Sequence, residues 1–81
     1  MKLSVHSIEE TLYSGEVKKL TLTTTSGEIT VLDNHLPLIS VVRSGKIYYT
    51  DSQNEEKELL VSGGILEVKP ESEVVILANP N

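Results

Sequence analysis

The sequence predicts an all-β protein, on three observations. Apolar and polar residues alternate with period two through most of the chain. Pairs of turn-forming residues (Ser, Gly, Asn, Asp) recur at short intervals, and runs of five to eight residues lie between them. Alternation is expected of a strand with one buried face, and these residue types supply the backbone conformations of turns. Many short strands at such spacing indicate an antiparallel sandwich or barrel.

The alternation is clearest in the first third of the chain. Leu3 and Val5 share one face of the first predicted strand, and the run LTLTTT places Leu20 and Leu22 on one face with threonines on the other. Val17 has the wrong parity relative to Leu20, with two lysines between them. One extra residue would correct the parity, so we expect a β-bulge or a strand break there.

Turn signals divide the rest into further strands. Turns are predicted at Ser14-Gly15, Ser26-Gly27, Asp33-Asn34, Ser44-Gly45, Asp51 to Asn54, Gly63-Gly64 and Pro70 to Ser72. The strands between them are EITVL, LPLISVV, KIYYTD, EKELLVS, ILEVK and EVVILA. Since LPLISVV and EVVILA are nearly continuous apolar runs, we expect both of their faces to be covered. The segment NEEKELL contains helix formers, but a helix so short is marginal in water, and we predict a loop tip followed by a strand.

Composition limits the classes of function. The 81 residues suffice for one domain, 1–81, with an aliphatic core because Phe and Trp are absent. The net charge is -5 and the only adjacent basic pair is Lys18-Lys19, which disfavours nucleic acid and direct docking on an anionic membrane. Without cysteine there is no disulfide or zinc-thiolate site, and the apolar run from Val74 to Ala78 is too short to span a bilayer. We expect a soluble, cytosolic protein.

No catalytic motif stands out. No GxSxG motif presents a serine, and His6 and His35 are the only histidines. Asp33, Asn34 and His35 contain metal-ligand types, but a turn explains them better because no HxH or HxxxH spacing is present. We therefore expect no enzyme activity, no metal and no cofactor. A lipoyl- or biotinyl-like carrier domain modified at Lys46 is the alternative, although the usual sequence around a modified lysine is missing; a small hydrolase is the third possibility.

Five short motifs occur in an order that resembles one family. They are Ser14-Gly15-x-Val17, Gly27-Glu28, His35-x-Pro37-Leu38, Gly45-x-Ile47, and Ser62-Gly63-Gly64-x-x-Glu67-Val68. Each alone is weak, but together they cover nearly the whole chain. The sequence resembles the amino-terminal β-sandwich of the epsilon subunit of F-type ATP synthases.

The resemblance implies a ten-stranded antiparallel sandwich in the rotary central stalk. The implied partners are the gamma subunit and the c-ring, with coupling of proton or sodium translocation to ATP synthesis. By motif, the c-ring interface comprises Glu28, Asp33, Asn34, His35, Pro37 and Leu38. The gamma interface comprises Ser62, Gly63 and Gly64. The implied location is peripheral, at the cytoplasmic face of a bacterial plasma membrane, with a thylakoid membrane as the alternative, and the isolated chain is expected to be a monomer.

The chain departs from the family pattern in two places. Asp33-Asn34 stands where the family usually has Pro-Gly; both pairs form turns, but the carboxylate adds negative charge to the implied c-ring contact. Most epsilon subunits also continue into a carboxy-terminal helical hairpin that can inhibit ATP hydrolysis. This sequence stops before such a hairpin, so we expect the hairpin and its inhibitory role to be absent.

Overall fold

A computed structural model describes residues 1–79. Its elements in chain order are β1 (Lys2–His6), β2 (Thr11–Thr24), β3 (Gly27–Leu32), β4 (Leu38–Asp51), β5 (Glu56–Lys69) and β6 (Glu73–Ala78). The predicted all-β class is confirmed, and strand β5 follows the 52–55 turn as predicted for NEEKELL. The predicted domain bounds, 1–81, extend two residues beyond the described part.

The strands form one sheet that closes on itself. The order is β1-β6-β5-β4-β2-β3, and β1 also pairs with β2. Five strands therefore form a ring, while β3 lies outside it, paired with β2. A ring with an odd number of strands cannot alternate direction throughout. The expectation of a wholly antiparallel sheet is accordingly wrong at one pair, β1 with β6, which is parallel.

Ten strands were expected, but residues 1–79 form six. Three strands, β2, β4 and β5, run for 14 residues each. They continue through Ser14-Gly15, Ser44-Gly45 and Gly63-Gly64, where turns were predicted. Gly45, Gly63 and Gly64 all have positive φ, a conformation that glycine adopts without steric cost. These residues therefore let a strand bend where the sequence suggested that it ends.

Other local predictions are confirmed. The pairing of β2 with β4 shifts register between Val17 and Lys19, which is the irregularity that the parity of Val17 required. Because of this shift, both Val17 and Leu20 are buried. Turns also occur as predicted near Ser26, Asp33-Asn34, residues 52–54 and residues 70–72.

The ring encloses an aliphatic core. Its fully buried large apolar side chains are Leu3, Val5, Leu20, Leu22, Val31, Ile47, Leu66, Val74 and Ile76. Tyr49 is also buried in this core, and Tyr13 packs against it with ring centroids 4.4 Å apart and ring planes tilted by 40°. Burying an aliphatic side chain of this size contributes roughly 1.5–3 kcal/mol before conformational entropy is counted. The core thus accounts for the closed sheet without aromatic residues at its centre.

Candidate functional site

The predicted c-ring residues surround β3. Glu28 is exposed near the start of β3, opposite Thr23 of β2. Asp33, Asn34, His35 and Pro37 belong to the loop of residues 33–37 that follows β3, and Leu38 begins β4. Since a strand rises about 3.3 Å per residue, Glu28 and Asp33 are separated by ~16 Å along the chain. The structure therefore gathers five of the six residues at one loop and its exit, and leaves Glu28 at the other end of β3.

The 33–37 loop is exposed but ordered by several contacts. The backbone N–H of His35 donates to the Leu32 carbonyl at 3.2 Å, and that of Asn34 to Ser72 Oγ at 3.4 Å. Asn34 has φ of +64°, in the left-handed region that asparagine tolerates better than most residues. The loop has the turn geometry that was predicted for Asp33-Asn34.

His35 is oriented by its neighbour. Its Nδ1 lies 2.7 Å from the carbonyl oxygen of Leu36. A carbonyl can only accept, so Nδ1 carries the proton and Nε2 is an acceptor when the imidazole is neutral. The next side chain, Leu36, is 80% exposed. The loop thus presents an imidazole nitrogen next to an uncovered leucine, an arrangement suited to contact with another protein.

The carboxylate of Asp33 meets the start of the chain. The Met1 ammonium lies 2.7 Å from Asp33 Oδ1 and 3.5 Å from Glu16 Oε2. The hydrogen bond to Asp33 and the nearby charges of both carboxylates raise the pKa of this amino group above 8.0, against the opposing effect of burial. The ammonium is therefore held in its charged form at neutral pH.

The predicted gamma residues are mostly inside the protein. Gly63 and Gly64 are buried, and Ser62 is half-buried with its hydroxyl donating to the Asn79 carbonyl at 2.7 Å. A Cβ atom at Gly64 would overlap the carbonyl oxygen of Leu77 on β6. The two glycines therefore determine the backbone conformation of β5, and little of their own surface is exposed.

An uncovered apolar surface lies beside these glycines. Val41 pairs with Ile65 across β4 and β5, and Ile65 pairs with Leu77 across β5 and β6. Ile39 lies two residues before Val41, on the same face of β4. We call these four residues the outer patch; their exposures are 71% for Ile39, 49% for Val41, 41% for Ile65 and 55% for Leu77.

The outer patch contradicts one prediction from the sequence. The continuous apolar runs LPLISVV and EVVILA were expected to be covered on both faces, yet the outward residues of both strands face solvent. Isolated exposed apolar residues are ordinary, but a contiguous group across three strands is typical of an interaction surface. The excess of apolar residues in these two runs was the sequence signal for the patch. We expected other parts of this chain to cover those residues, and in the structure they are exposed.

The alternative sites find no support in the described part of the chain. Residues 1–79 contain no group of three or more His, Cys, Asp or Glu residues arranged to hold a metal ion. His6 contacts Thr11 Oγ1 at 3.1 Å, on the outer side of the β1–β2 pair. Lys46 lies inside β4, with its Nζ 3.0 Å from Glu58 Oε1; a carrier lysine would be expected on a hairpin turn.

Comparison with known proteins identifies the family. The sequence model of the ATP synthase delta/epsilon chain beta-sandwich domain matches residues 1–80. The chain belongs to this family. The resemblance that the five motifs suggested is thereby confirmed, and with it the β-sandwich class.

Curated relatives of this delta/epsilon-type chain carry the name ATP synthase epsilon chain. The protein from Psychrobacter cryohalolentis is 43% identical over 79 residues, which cover 98% of this chain and 56% of the relative. The protein from Bordetella avium is 41% identical over 76 residues, covering 94% of this chain and 54% of the relative. The chain thus spans little more than half the length of these relatives.

Solved ATP synthase structures share the fold. A chain in the OSCP/F1/c-ring structure of the Euglena gracilis mitochondrial ATP synthase matches with a TM-score of 0.85 and 22% identity, over 94% of this chain and 48% of that one. A chain in the central stalk/c-ring structure of the Tetrahymena thermophila enzyme matches with a TM-score of 0.79 and 14% identity, over 99% and 63%. At these identities the similarity demonstrates the fold.

None of the described residues forms a helix that could cross a membrane.

Proposed function

We propose that this chain is a non-catalytic part of the central stalk of an F-type ATP synthase, where it links the gamma subunit to the c-ring. The observation that carries the proposal is the 43% identity to an ATP synthase epsilon chain over 98% of this chain. The proposed unit is the single sandwich domain 1–81, without a cofactor and monomeric when isolated. Its proposed location is the cytoplasmic face of a bacterial plasma membrane, bound through the complex.

The outer patch is the proposed gamma-binding surface. Four uncovered aliphatic side chains on three adjacent strands would lose contact with water when a partner covers them, and burial of apolar area is the main favourable term in protein association. The predicted gamma residues Ser62, Gly63 and Gly64 immediately precede Ile65 on β5. Gly63 and Gly64 would then contribute by setting the position of Ile65 against Leu77.

The other proposed contact surface consists of the 33–37 loop, Leu38 and Glu28. Glu28 and Asn34 supply exposed polar groups and His35 a half-buried one, and such groups fix the register of an interface more than they add affinity. A polar contact to the c-ring and an apolar contact to gamma on one closed sheet would let the sandwich transmit rotation. This arrangement would couple proton or sodium translocation to ATP synthesis without chemistry in the sandwich itself.

The geometry of the structure supports the two alternative functions, a carrier domain and a small hydrolase, less well. A carrier domain needs an accessible lysine on a turn, whereas Lys46 is ion-paired to Glu58 within a paired strand. A small hydrolase needs a nucleophile, a base and an orienting group within hydrogen-bond reach of one another. His6 contacts the Thr11 hydroxyl at 3.1 Å, but none of the contacts described for residues 1–79 adds an orienting group to this pair. The His35 ring bonds to a backbone carbonyl and reaches no nucleophile by that contact. The absence of an inhibitory hairpin stays a prediction from the sequence.

The c-ring assignment is tested by Glu28→Ala combined with His35→Ala in the assembled ATP synthase. Loss of two polar contacts is expected to weaken retention of the subunit on the order of tenfold and to reduce proton-driven ATP synthesis accordingly. The measurements are ATP synthesis in inverted vesicles and the subunit content of the purified complex.

The matched control is Glu9→Ala combined with His6→Ala. These residues are the same types and lie outside the proposed interface, so the control is expected to retain normal ATP synthesis. Unchanged synthesis and unchanged subunit content in the Glu28 and His35 variant would rule out the c-ring assignment.

A further inference from the structure

The amino group of Met1 lies beneath the 33–37 loop and is fixed to β2. The ammonium donates to the Val17 carbonyl at 3.0 Å, and the Met1 carbonyl accepts from the Val17 N–H at 2.9 Å. The Met1 side chain is buried among the core residues. The first residue is thus held by two backbone hydrogen bonds and by packing, which leaves its charged nitrogen in a defined place.

Two carboxylates from different elements face this nitrogen. Glu16 belongs to β2, the strand that already holds Met1, and its oxygen is 3.5 Å away. Asp33 belongs to the loop, and its oxygen is 2.7 Å away. A buried ammonium requires a counter-charge, and charge-assisted hydrogen bonds are about twice as strong as neutral ones. Of the two contacts, the one to Asp33, which joins the loop to Met1, is the shorter.

The remaining ties of the loop are longer and uncharged. The Asn34 N–H is 3.4 Å from Ser72 Oγ, and the His35 N–H is 3.2 Å from the Leu32 carbonyl oxygen. The His35 ring bonds to the adjacent Leu36 carbonyl, a contact that orients the ring but does not anchor the loop to another element. Among these contacts, the Met1–Asp33 pair is the strongest link between the loop and the sheet.

We propose that the free α-amino group of Met1 is a positioning group for residues 33–37, so that neutralising this amine by acylation loosens the loop. A formyl or acetyl group removes the charge, and Asp33 then loses its partner. Because the loop is the proposed c-ring contact, its functional consequence rests on the proposed function. The positioning itself can be measured on the isolated chain.

The test compares two synthetic versions of the 81-residue chain. One has a free amino group on Met1, and the other has a desamino first residue, which lacks the amino group and adds no atoms. Amide hydrogen exchange at Asn34 and His35 is expected to be on the order of tenfold faster in the desamino chain, because a hydrogen bond to a charged group is lost. Amides of core residues such as Leu66 and Ile76 are expected to keep their rates, which separates loop loosening from global destabilisation.

Three further chains make the test specific. Asp33→Asn with a free Met1 amino group is expected to accelerate amide exchange at Asn34 and His35 to the same extent. Removal of the amino group from that variant is then expected to add little further acceleration. Glu16→Gln, which removes the carboxylate on β2, is expected to leave exchange in the loop within about twofold of the unmodified chain, since its contact is longer. Unchanged exchange in the desamino chain, or a full additional acceleration on top of Asp33→Asn, would overturn the proposal.

Incorporation into the ATP synthase separates this inference from the proposed function. Faster loop exchange together with weaker retention on the c-ring supports both. Faster loop exchange with normal retention supports the positioning role and contradicts the c-ring assignment. Unchanged loop exchange contradicts the positioning role, whatever the retention is.

Discussion

Two adjacent glycines determine how closely β5 approaches its neighbours. Gly64 has φ of +151°, and a Cβ there would overlap the Leu77 carbonyl oxygen on β6. At Gly63, with φ of +94°, a Cβ would lie 3.1 Å from the Val42 carbonyl oxygen on β4. Both the backbone conformation and the space therefore require glycine, and the row Val41–Ile65–Leu77 depends on this close approach.

Gly64→Ala is expected to destabilise the fold by about 3 kcal/mol, because backbone atoms of β6 must move to make room. The matched control is Gly27→Ala at the start of β3, where φ is +113° and nothing lies within 4 Å of the added Cβ. That control is expected to lose about 1 kcal/mol from backbone conformation alone. Guanidinium unfolding measures both free energies, and equal losses would show that space at Gly64 is not the constraint.

At the level of elements, the sequence identifies strands well and strand ends less well. Side-chain direction alternates along a strand. The parity of Leu20, Leu22 and Val17 therefore predicted both the buried face of β2 and its bulge. The turns predicted at Ser44-Gly45 and Gly63-Gly64 were wrong, because a glycine at positive φ is as compatible with a bend inside a strand as with a turn. Which of the two occurs depends on partner strands far away in sequence, and local patterns do not contain that information.

The site shows the same division between local and non-local information. The turn at Asp33-Asn34 could be predicted from these two residues themselves, whereas Glu28 was indicated only by the family resemblance. The outer patch could not be predicted, because the alternation test cannot tell an apolar residue covered by this chain from one left for a partner. The pairing of Met1 with Asp33 joins residues 32 positions apart, and nothing in either local sequence indicates it.

The β4–β5 turn depends on one carboxylate. Asp51 Oδ1 accepts from the backbone N–H groups of Glu55 at 3.0 Å and Gln53 at 2.9 Å, and Oδ2 lies 3.5 Å from Lys57 Nζ. The hydrogen bond from Glu55, followed by that from Gln53 and the Lys57 charge, lowers the pKa of Asp51 below 3.8 despite partial desolvation. The folded state therefore favours the ionised form.

The sign of the pH effect follows from that shift. The stabilisation by ionised Asp51 is complete above its unfolded pKa near 3.8 and is lost as the pH falls through the lower, folded value. Asp51→Asn keeps an oxygen acceptor but cannot ionise, whereas Asp51→Ala removes the acceptor too. We expect Ala to destabilise more than Asn at pH 7, and the gap between the natural chain and Asp51→Asn to shrink below pH 3.8. Urea unfolding at several pH values measures both; a pH-independent gap would contradict this account.

At the scale of the whole molecule, the closed sheet separates two kinds of surface. Its ring of five strands encloses the aliphatic core, so the fold does not need the outer patch to be covered. Ile39, Val41, Ile65 and Leu77 thus remain available, on strands β4, β5 and β6. The polar 33–37 loop extends from the junction of β3 and β4. A stalk component that contacts two partners requires separate surfaces of this kind on one rigid body.

The central claim is that the outer patch binds the gamma subunit, and calorimetric titration of the chain into a gamma-containing F1 subcomplex tests it directly. The natural chain is expected to bind, and Ile39→Glu to weaken binding on the order of 30-fold, or ~2 kcal/mol, because a charge would replace the most exposed apolar side chain of the patch. The matched control is Ile8→Glu, which alters an isoleucine that is 85% exposed outside the patch, and it is expected to bind within about twofold of the natural chain. No binding by the natural chain, or equal losses in the two variants, would contradict the claim.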